Sequence, residues 1–548
     1  MHTVEAALAL LAACLGFALL ARHLRLPYAV MLVLGGMVLA FVPGLPAVPL
    51  DPELALAFFV PPLLQASAYR TDWRAFRADL RPILLLALGC VVFTAFCIAF
   101  VAQWLVPAMP FAAALALGAI IAPPDAVAAE AVLARLRLPR RIVTVLQGES
   151  LINDASALVL YKLALAAMAL GALSPGQGVA QFLLLGAGGL AFGWAVGRAT
   201  VWLLPRLDDT TLETALSFLA CYASYLAAEA LHVSGVIAVV TTGALLGQAQ
   251  HAFSGRTRLE ARVVWEFAGF VLNSLIFILI GLQLNQILGR LHGHGDAWVL
   301  AGLGAALAGA LILSRFLWLV PAFVLDGLVA GQRSGEGGRQ WKYVAVVGWS
   351  GMRGVVSLAA ALALPLDFPF RDLIVFLAFA AILGTLVVQG TTLEGLIRLL
   401  GAAERAPEGG IDPEEAEGRR LAASAALAEI EALLEDPLEG AIAADLLAEF
   451  RDRAGHLHRT VQNRGAAEAE RRARRALRLR ALEASRVALL AHHGAGGLAA
   501  EALVRLETEL DLEELRVRQA LGDERTPAEK RAGRQHLIRL KAAAATIP

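Results

Sequence analysis

The chain has 548 residues, of which 58% are hydrophobic and 17% charged, well under the quarter of charged residues usual in soluble domains. Its mean hydropathy of +0.65 excludes an ordinary soluble enzyme, and a formal net charge of zero gives no electrostatic ground for a nucleic-acid partner. Apolar stretches of the length a bilayer requires, about 20 residues, recur from Val4 to about Leu400, so the chain reads as an all-α polytopic membrane protein.

Hydropathy predicts about thirteen spans, near 4–21, 28–43, 51–68, 82–105, 111–133, 142–170, 178–204, 211–230, 233–249, 264–288, 298–327, 343–364 and 370–399. The first has no basic start and is followed by Arg22, His23 and Arg25 rather than a small-residue cleavage site, which reads as a retained helix and not a signal peptide. The odd-numbered connections carry arginine clusters such as Arg70/Arg74/Arg77/Arg81 and Arg135/Arg137/Arg140/Arg141. The even-numbered ones carry almost none, Arg290 and Arg371 excepted. The positive-inside rule then places the N-terminus outside and the C-terminus in the cytoplasm. Cys14, Cys90, Cys97 and Cys221 all lie in apolar runs, with neither metal-ligand spacing nor a disulfide framework.

In the fifth span, GAIIAPPDAVAAEAV, Pro123 and Pro124 remove two backbone donors and predict a helix break in mid-membrane. Backbone freed at that depth must be buried in protein or line a cavity, which puts Asp125 beside an ion path, or makes it the cap of the second half-helix. Glu130, five residues on, is a candidate for the cytoplasmic funnel. The sixth span contains GESLINDASALVL. At helical spacing Ser150 and Asp154 share one face, and Glu149 and Asn153 share the next. The first pair offers hard oxygen ligands for an alkali cation, and the second is better placed to bond a neighbouring helix. A charge at the bilayer centre costs ~2.5–3.5 kcal/mol, so each buried charge needs a partner, water or a function. The twelfth span, VVGWSGMRGVVSLAAALAL, is loosened by Gly348, Gly351 and Gly354 around Arg353, for which Glu149 is the predicted acid. Spans five and twelve hold matched positions if spans 1–6 and 8–13 are two inverted repeats, as broken helices do in secondary transporters. Arg315 reads as an interhelical or interfacial anchor, and Asn273 and Ser274 as interhelical hydrogen-bonding groups.

After about Leu400 the composition turns to Ala, Glu, Arg and Leu. Residues 403–548 are predicted to form a cytoplasmic α-helical domain, distinct from a transmembrane domain over 1–402. Asp412-Pro413-Glu414-Glu415 and Thr526-Pro527-Ala528-Glu529 are helix-start signals. The domain reads either as a solvated helical tail or as the seat of a regulatory ligand or partner.

APPDAVA followed by GESLINDASALVLYKLA, with GWSGMRGVVSLAAALALP downstream, resembles the sodium/proton exchanger branch of the monovalent cation/proton antiporters. PPLLQASAYR (61–70) and FVLNSLIFILIGLQL (270–284) extend the likeness over about the first 400 residues. The resemblance implies a thirteen-helix inverted-repeat fold and a homodimer in a prokaryotic cell membrane. It implies no cofactor beyond the transported ions. It also implies a Na+ site at Asp125, Asp154 and Ser150, with Asn153 beside them and Glu149–Arg353 as a supporting ion pair. An Asn-Asp rather than Asp-Asp pair accompanies electroneutral exchange in the family. Two departures bear on cation preference. Pro124 stands where a threonine is common, leaving only its backbone carbonyl as a ligand, and Gln65-Ala66 stand where an acid is often found.

A carboxyl out of water favours its neutral form, while a bound cation favours the charged one. Asp154 is therefore expected to hold a proton or a cation, but not both. The same ligand chemistry serves K+, which leaves K+/H+ exchange as the alternative. A channel or an ion sensor is a more distant one.

Overall fold

A computed structural model describes residues 2–24, 26–43, 52–125, 138–170, 175–250, 255–291, 297–329, 337–403, 413–435, 441–448, 464–494 and 500–519, with isolated positions between them. The chain divides into two compact units, Met1–Glu404 and Arg405–Pro548. No strand occurs among the described residues.

Helix occupies each of the predicted stretches of the first unit. In chain order these are α1 (His2–Leu24), α2 (Tyr28–Leu39), α3 (Pro52–Arg70), the short α4 (Trp73–Ala78) and α5 (Leu80–Leu105). Next come α6 (Phe111–Ile121), α7 (Arg140–Leu170), α8 (Pro175–Leu203), α9 (Thr210–Ala230) and α10 (Gly235–Gln248). The unit ends with α11 (Gly255–Arg290), α12 (Ala297–Val329), α13 (Gly337–Trp349), α14 (Val355–Leu362) and α15 (Arg371–Leu400). Among the described residues, six helical stretches are long and apolar enough to cross a bilayer: Leu80–Leu105, Arg140–Met168, Leu183–Arg206, Thr257–Arg290, Trp298–Ala322 and Arg371–Leu400. Leu8–Leu24, Tyr28–Leu39, Phe111–Ile121 and Gly235–Gln248 are apolar but shorter.

Proline alone does not decide where these helices end. α3 runs through Pro61 and Pro62, whereas α6 stops at Ile121 ahead of Pro123 and Pro124. At the second place the freed backbone has tertiary partners. Arg353 Nε donates to Ile121 O at 2.7 Å, and the Asp125 amide donates to Met352 O at 2.7 Å. The twelfth predicted span divides in the same way into α13 and α14, with non-helical backbone over 351–354. The two breaks therefore touch. α5 holds a π-helical segment, Leu85–Cys90, a feature with no signature in residue type.

Every residue from Ala113 to Ile121 of α6 is buried, and α15 contributes a long buried apolar face that includes Ile374, Leu377, Phe379, Ile382 and Leu386. Elsewhere backbone approaches backbone. A Cβ on Gly36 of α2 would strike Ile278 O of α11, and one on Gly281 would strike Val33 O. Only glycine permits that crossing, as at many interfaces where dispersion and close approach drive helix association.

In the second unit α16 (Pro413–Ala432) starts at the predicted Asp412-Pro413 signal. α17 (Arg464–Gly494) and α18 (Ala500–Gln519) pack together, held in part by Arg486, whose guanidinium bonds Asp511 and, at 3.0 Å, Glu514. The start predicted at Thr526–Glu529 lies outside the described residues.

Candidate functional site

α7 is a continuous helix through Glu149, Ser150, Asn153 and Asp154, and its two polar faces do different things. Ser150 and Asp154 line a cavity of about 330 Å³, together with Pro123, Pro124, Asp125 and Ser357. Asn273, Arg70 and Glu266 also line it. Glu149 and Asn153 bond neighbouring elements instead. Asn153 is fully buried and its Nδ2 donates to Pro124 O at 2.6 Å, tying α7 to the break after α6. It does not line the cavity, so its place is that of a strut beside the predicted ligands. Ser156, one turn-face further, donates to Ala87 O in the π segment at 2.6 Å.

Asp125 sits at the first break, its amide on Met352 O and its carboxylate against the backbone of Gly354 in the second. A Cβ built on Gly354 would fall within the carboxylate itself. Gly354 has extended backbone, φ −135° and ψ −153°, so the need for glycine is one of space and not of dihedral strain.

The predicted pairing of Glu149 with Arg353 is not formed. Glu149 is held by Arg315 of α12 in a two-pronged ion pair, Nη1 to Oε1 at 2.6 Å and Nη2 to Oε2 at 2.7 Å, with both side chains buried. The planar fork of arginine matches a carboxylate in this way. Arg353 projects from the extended segment between α13 and α14 and is engaged by carbonyls, those of Ile121 and Gly351. Arg315 Nε also reaches Val347 O at 3.1 Å. Each arginine thus supplies a cation and a donor at the C-terminal end of one interrupted helix, Arg353 for α6 and Arg315 for α13, where the helix dipole favours positive charge.

Other expectations divide. Asn273 lies on the cavity, while the buried Ser274 Oγ has no hydrogen-bond partner among the described residues. Glu130 lies outside the described residues. Ser357, Ser156 and the pairing role of Arg315 were not read from the sequence. For Arg315 a signal was present, because LILSRFLWL places it deep in an apolar run and a charge there requires a buried acid.

The family description "Sodium/hydrogen exchanger, transmembrane" matches residues 7–399. The chain belongs to the sodium/hydrogen exchanger family. It is 33% identical over 497 residues to an Escherichia coli K12 protein named as an uncharacterized Na+/H+ exchanger, covering 84% of this chain and 89% of that one. It is 34% identical over 408 residues to a Na+/H+ antiporter of Aphanothece halophytica, covering 73% and 75%. A Bacillus pumilus protein named as a sodium, potassium, lithium and rubidium/H+ antiporter is 34% identical over 377 residues, covering 66% of this chain and 56% of its own. Among solved structures, the sodium proton antiporter of Methanocaldococcus jannaschii aligns with a TM-score of 0.56 at 20% identity, covering 73% of this chain and all of that one, which is a likeness of fold. This exchanger is accordingly a membrane transporter of the cation/proton antiport class, and its family is one of transporters and not enzymes.

Proposed function

We propose that this exchanger swaps Na+ or Li+ for H+ at Asp154, one for one, by alternating access. The observation that carries the reading is the convergence of Asp125, Asp154 and Ser150 on one cavity at the junction of two interrupted helices. A carboxylate away from bulk water is costly unless compensated. Asp154 therefore rests either with a proton or with a cation that also takes oxygens from Ser150, Asp125 and the Pro124 carbonyl. The Pro124 carbonyl already accepts from Asn153, and its second lone pair remains available to an ion.

In this reading the interrupted elements after α6 and between α13 and α14 are equivalent parts of two inverted six-helix repeats, and thirteen spans place the N-terminus outside and the second unit in the cytoplasm. Arg70, on a connection rich in arginine, and Glu266, in the first turn of the tenth predicted span, would then mark the cytoplasmic mouth of the cavity. A homodimer in the cell membrane and a regulatory ligand or partner for the second unit belong to the same proposal. The broad cation range in the name of the Bacillus pumilus relative supports keeping K+/H+ exchange as the second reading.

The test is proton movement in proteoliposomes with an interior pH-sensitive dye, on adding Na+, Li+ or K+ in turn. Wild type is expected to give cation-dependent flux and Asp154→Asn none, with both eluting as the same folded species. Cation-driven flux of wild-type size in Asp154→Asn would refute the mechanism, and the ion that drives wild type decides between the two readings.

A further inference from the structure

A second cavity lies apart from the ion site. About 660 Å³ of open groove is bounded by Arg77 of α4, Arg81 in the first turn of α5, and Leu84, Leu85 and Leu88 further along that helix, with Trp318 of α12 opposite. Leu84 and Leu85 are more than a third exposed, on a helix long and apolar enough to cross a bilayer. In that setting such side chains face hydrocarbon. The groove is thus basic at one end and aliphatic along its length. Trp318 is fixed in place, with Nε1 donating to Leu85 O at 3.1 Å and its ring in the notch over Gly89, where no Cβ would fit. Basic pockets between spans on the cytoplasmic side suit acidic lipid head groups.

We propose that this groove binds an anionic phospholipid, with its phosphate on Arg77 and Arg81 and an acyl chain over Leu84, Leu85, Leu88 and Trp318. The Leu85–Cys90 segment that forms its wall is π-helical, and π segments concentrate at functional sites. On its other side the Ala87 carbonyl of that segment accepts the Ser156 hydroxyl at 2.6 Å, two residues from Asp154. A lipid seated on Leu85 and Leu88 therefore steadies the segment against which the ion-site helix is held, and transport depends on it. The binding stands on the groove and on the cytoplasmic placement, proposed above, of the connection over residues 70–81; the effect on transport rests on the antiport reading.

The full-length protein in detergent would be offered phosphatidylglycerol against an excess of phosphatidylcholine, and retained lipid counted by native mass spectrometry. Wild type is expected to keep phosphatidylglycerol. Arg77→Gln/Arg81→Gln should retain roughly 30-fold less, the loss expected from two basic contacts to an acidic head group. Leu88→Trp, which fills the apolar end, should also retain less and carries the test if the double variant does not fold. Arg74→Gln, on the same short helix but outside the groove, should match wild type. Equal retention of the two lipids, or unchanged phosphatidylglycerol in both groove variants, overturns the proposal. So does a loss of dimer with lipid retention unchanged, which would assign the groove to a second copy of the chain. In liposomes, wild-type flux should be several-fold higher with phosphatidylglycerol than without it, and the double variant should be indifferent. Wild-type flux equal in both lipids removes the transport effect. Absence of flux in every lipid counts against the antiport reading, while the binding result stands.

Discussion

At the scale of single residues, the pair Glu149–Arg315 shows why a buried charge cannot be assigned its partner from hydropathy. Two arginines, Arg315 and Arg353, and four acids, Asp125, Glu130, Glu149 and Asp154, stand in the apolar runs, and the sequence offers no distance between them. The partner-facing place of Glu149 on the sixth span and the family resemblance both point to Arg353, yet the extended backbone there puts the Arg353 guanidinium among carbonyls. The helix faces, by contrast, were legible. A spacing of four placed Ser150 and Asp154 together on the cavity and set Glu149 and Asn153 to bond neighbours. Removing one member of a buried ion pair leaves an uncompensated charge and costs about 3–5 kcal/mol, whereas neutralising both costs far less. Arg315→Met should therefore destabilise the protein by about 3–5 kcal/mol, and Arg315→Met/Glu149→Gln should recover more than half of that loss. A double-mutant cycle of unfolding in detergent measures it, and additive losses would show that the two side chains do not compensate one another.

At the scale of elements, the interruptions of the helices matter more than the helices. Both were expected, one from Pro123-Pro124 and one from the glycines around Arg353, because each sequence withdraws either a donor or the cost of extended backbone. What the sequence could not convey is that the interruptions lean on each other, since contact between residues so far apart in the chain leaves no local pattern. The π segment of α5 was equally hidden, being a change of hydrogen-bond register within ordinary apolar residues. The contact itself makes a sharp expectation. Gly354→Ala introduces one methyl group into the space of the Asp125 carboxylate, at a dihedral that alanine adopts freely. The displacement should reach the ion site without unfolding α14. A shift of about 1 Å at a reacting group can cost roughly 100-fold in rate, and flux at saturating and limiting cation should fall by that order while the melting temperature stays close to wild type. A variant that melts early and retains its flux per folded molecule would show that Gly354 serves packing and not the site.

At the scale of the whole molecule, the charges gathered around the two interruptions can be summed. Asp125, Glu149 and Asp154 contribute three negative charges, and Arg315 and Arg353 two positive ones. One negative charge is left over, and a single bound Na+ or a single bound proton cancels it. In the alternating-access cycle proposed above, both loaded forms would be neutral as the site changes sides, while the empty form would carry a charge through a region of low dielectric, which opposes its movement. On the antiport reading proposed above, obligatory exchange and electroneutrality share this one cause. Moving one net charge across 100 mV is worth about 2.3 kcal/mol, enough to shift a steady-state ion ratio roughly 50-fold. The ratio reached by wild type should therefore be indifferent to an imposed potential. Asn153→Asp adds a fourth acid beside Asp154, so that cation and proton loading no longer balance one for one, and it also replaces the donor that now holds Pro124 O. Its flux should be weaker and its steady-state ratio should move with potential, which clamping proteoliposomes with valinomycin and defined K+ gradients would reveal. A wild-type ratio that follows the potential would show that a second carboxyl, with Asp125 the nearest to hand, exchanges its proton in each cycle.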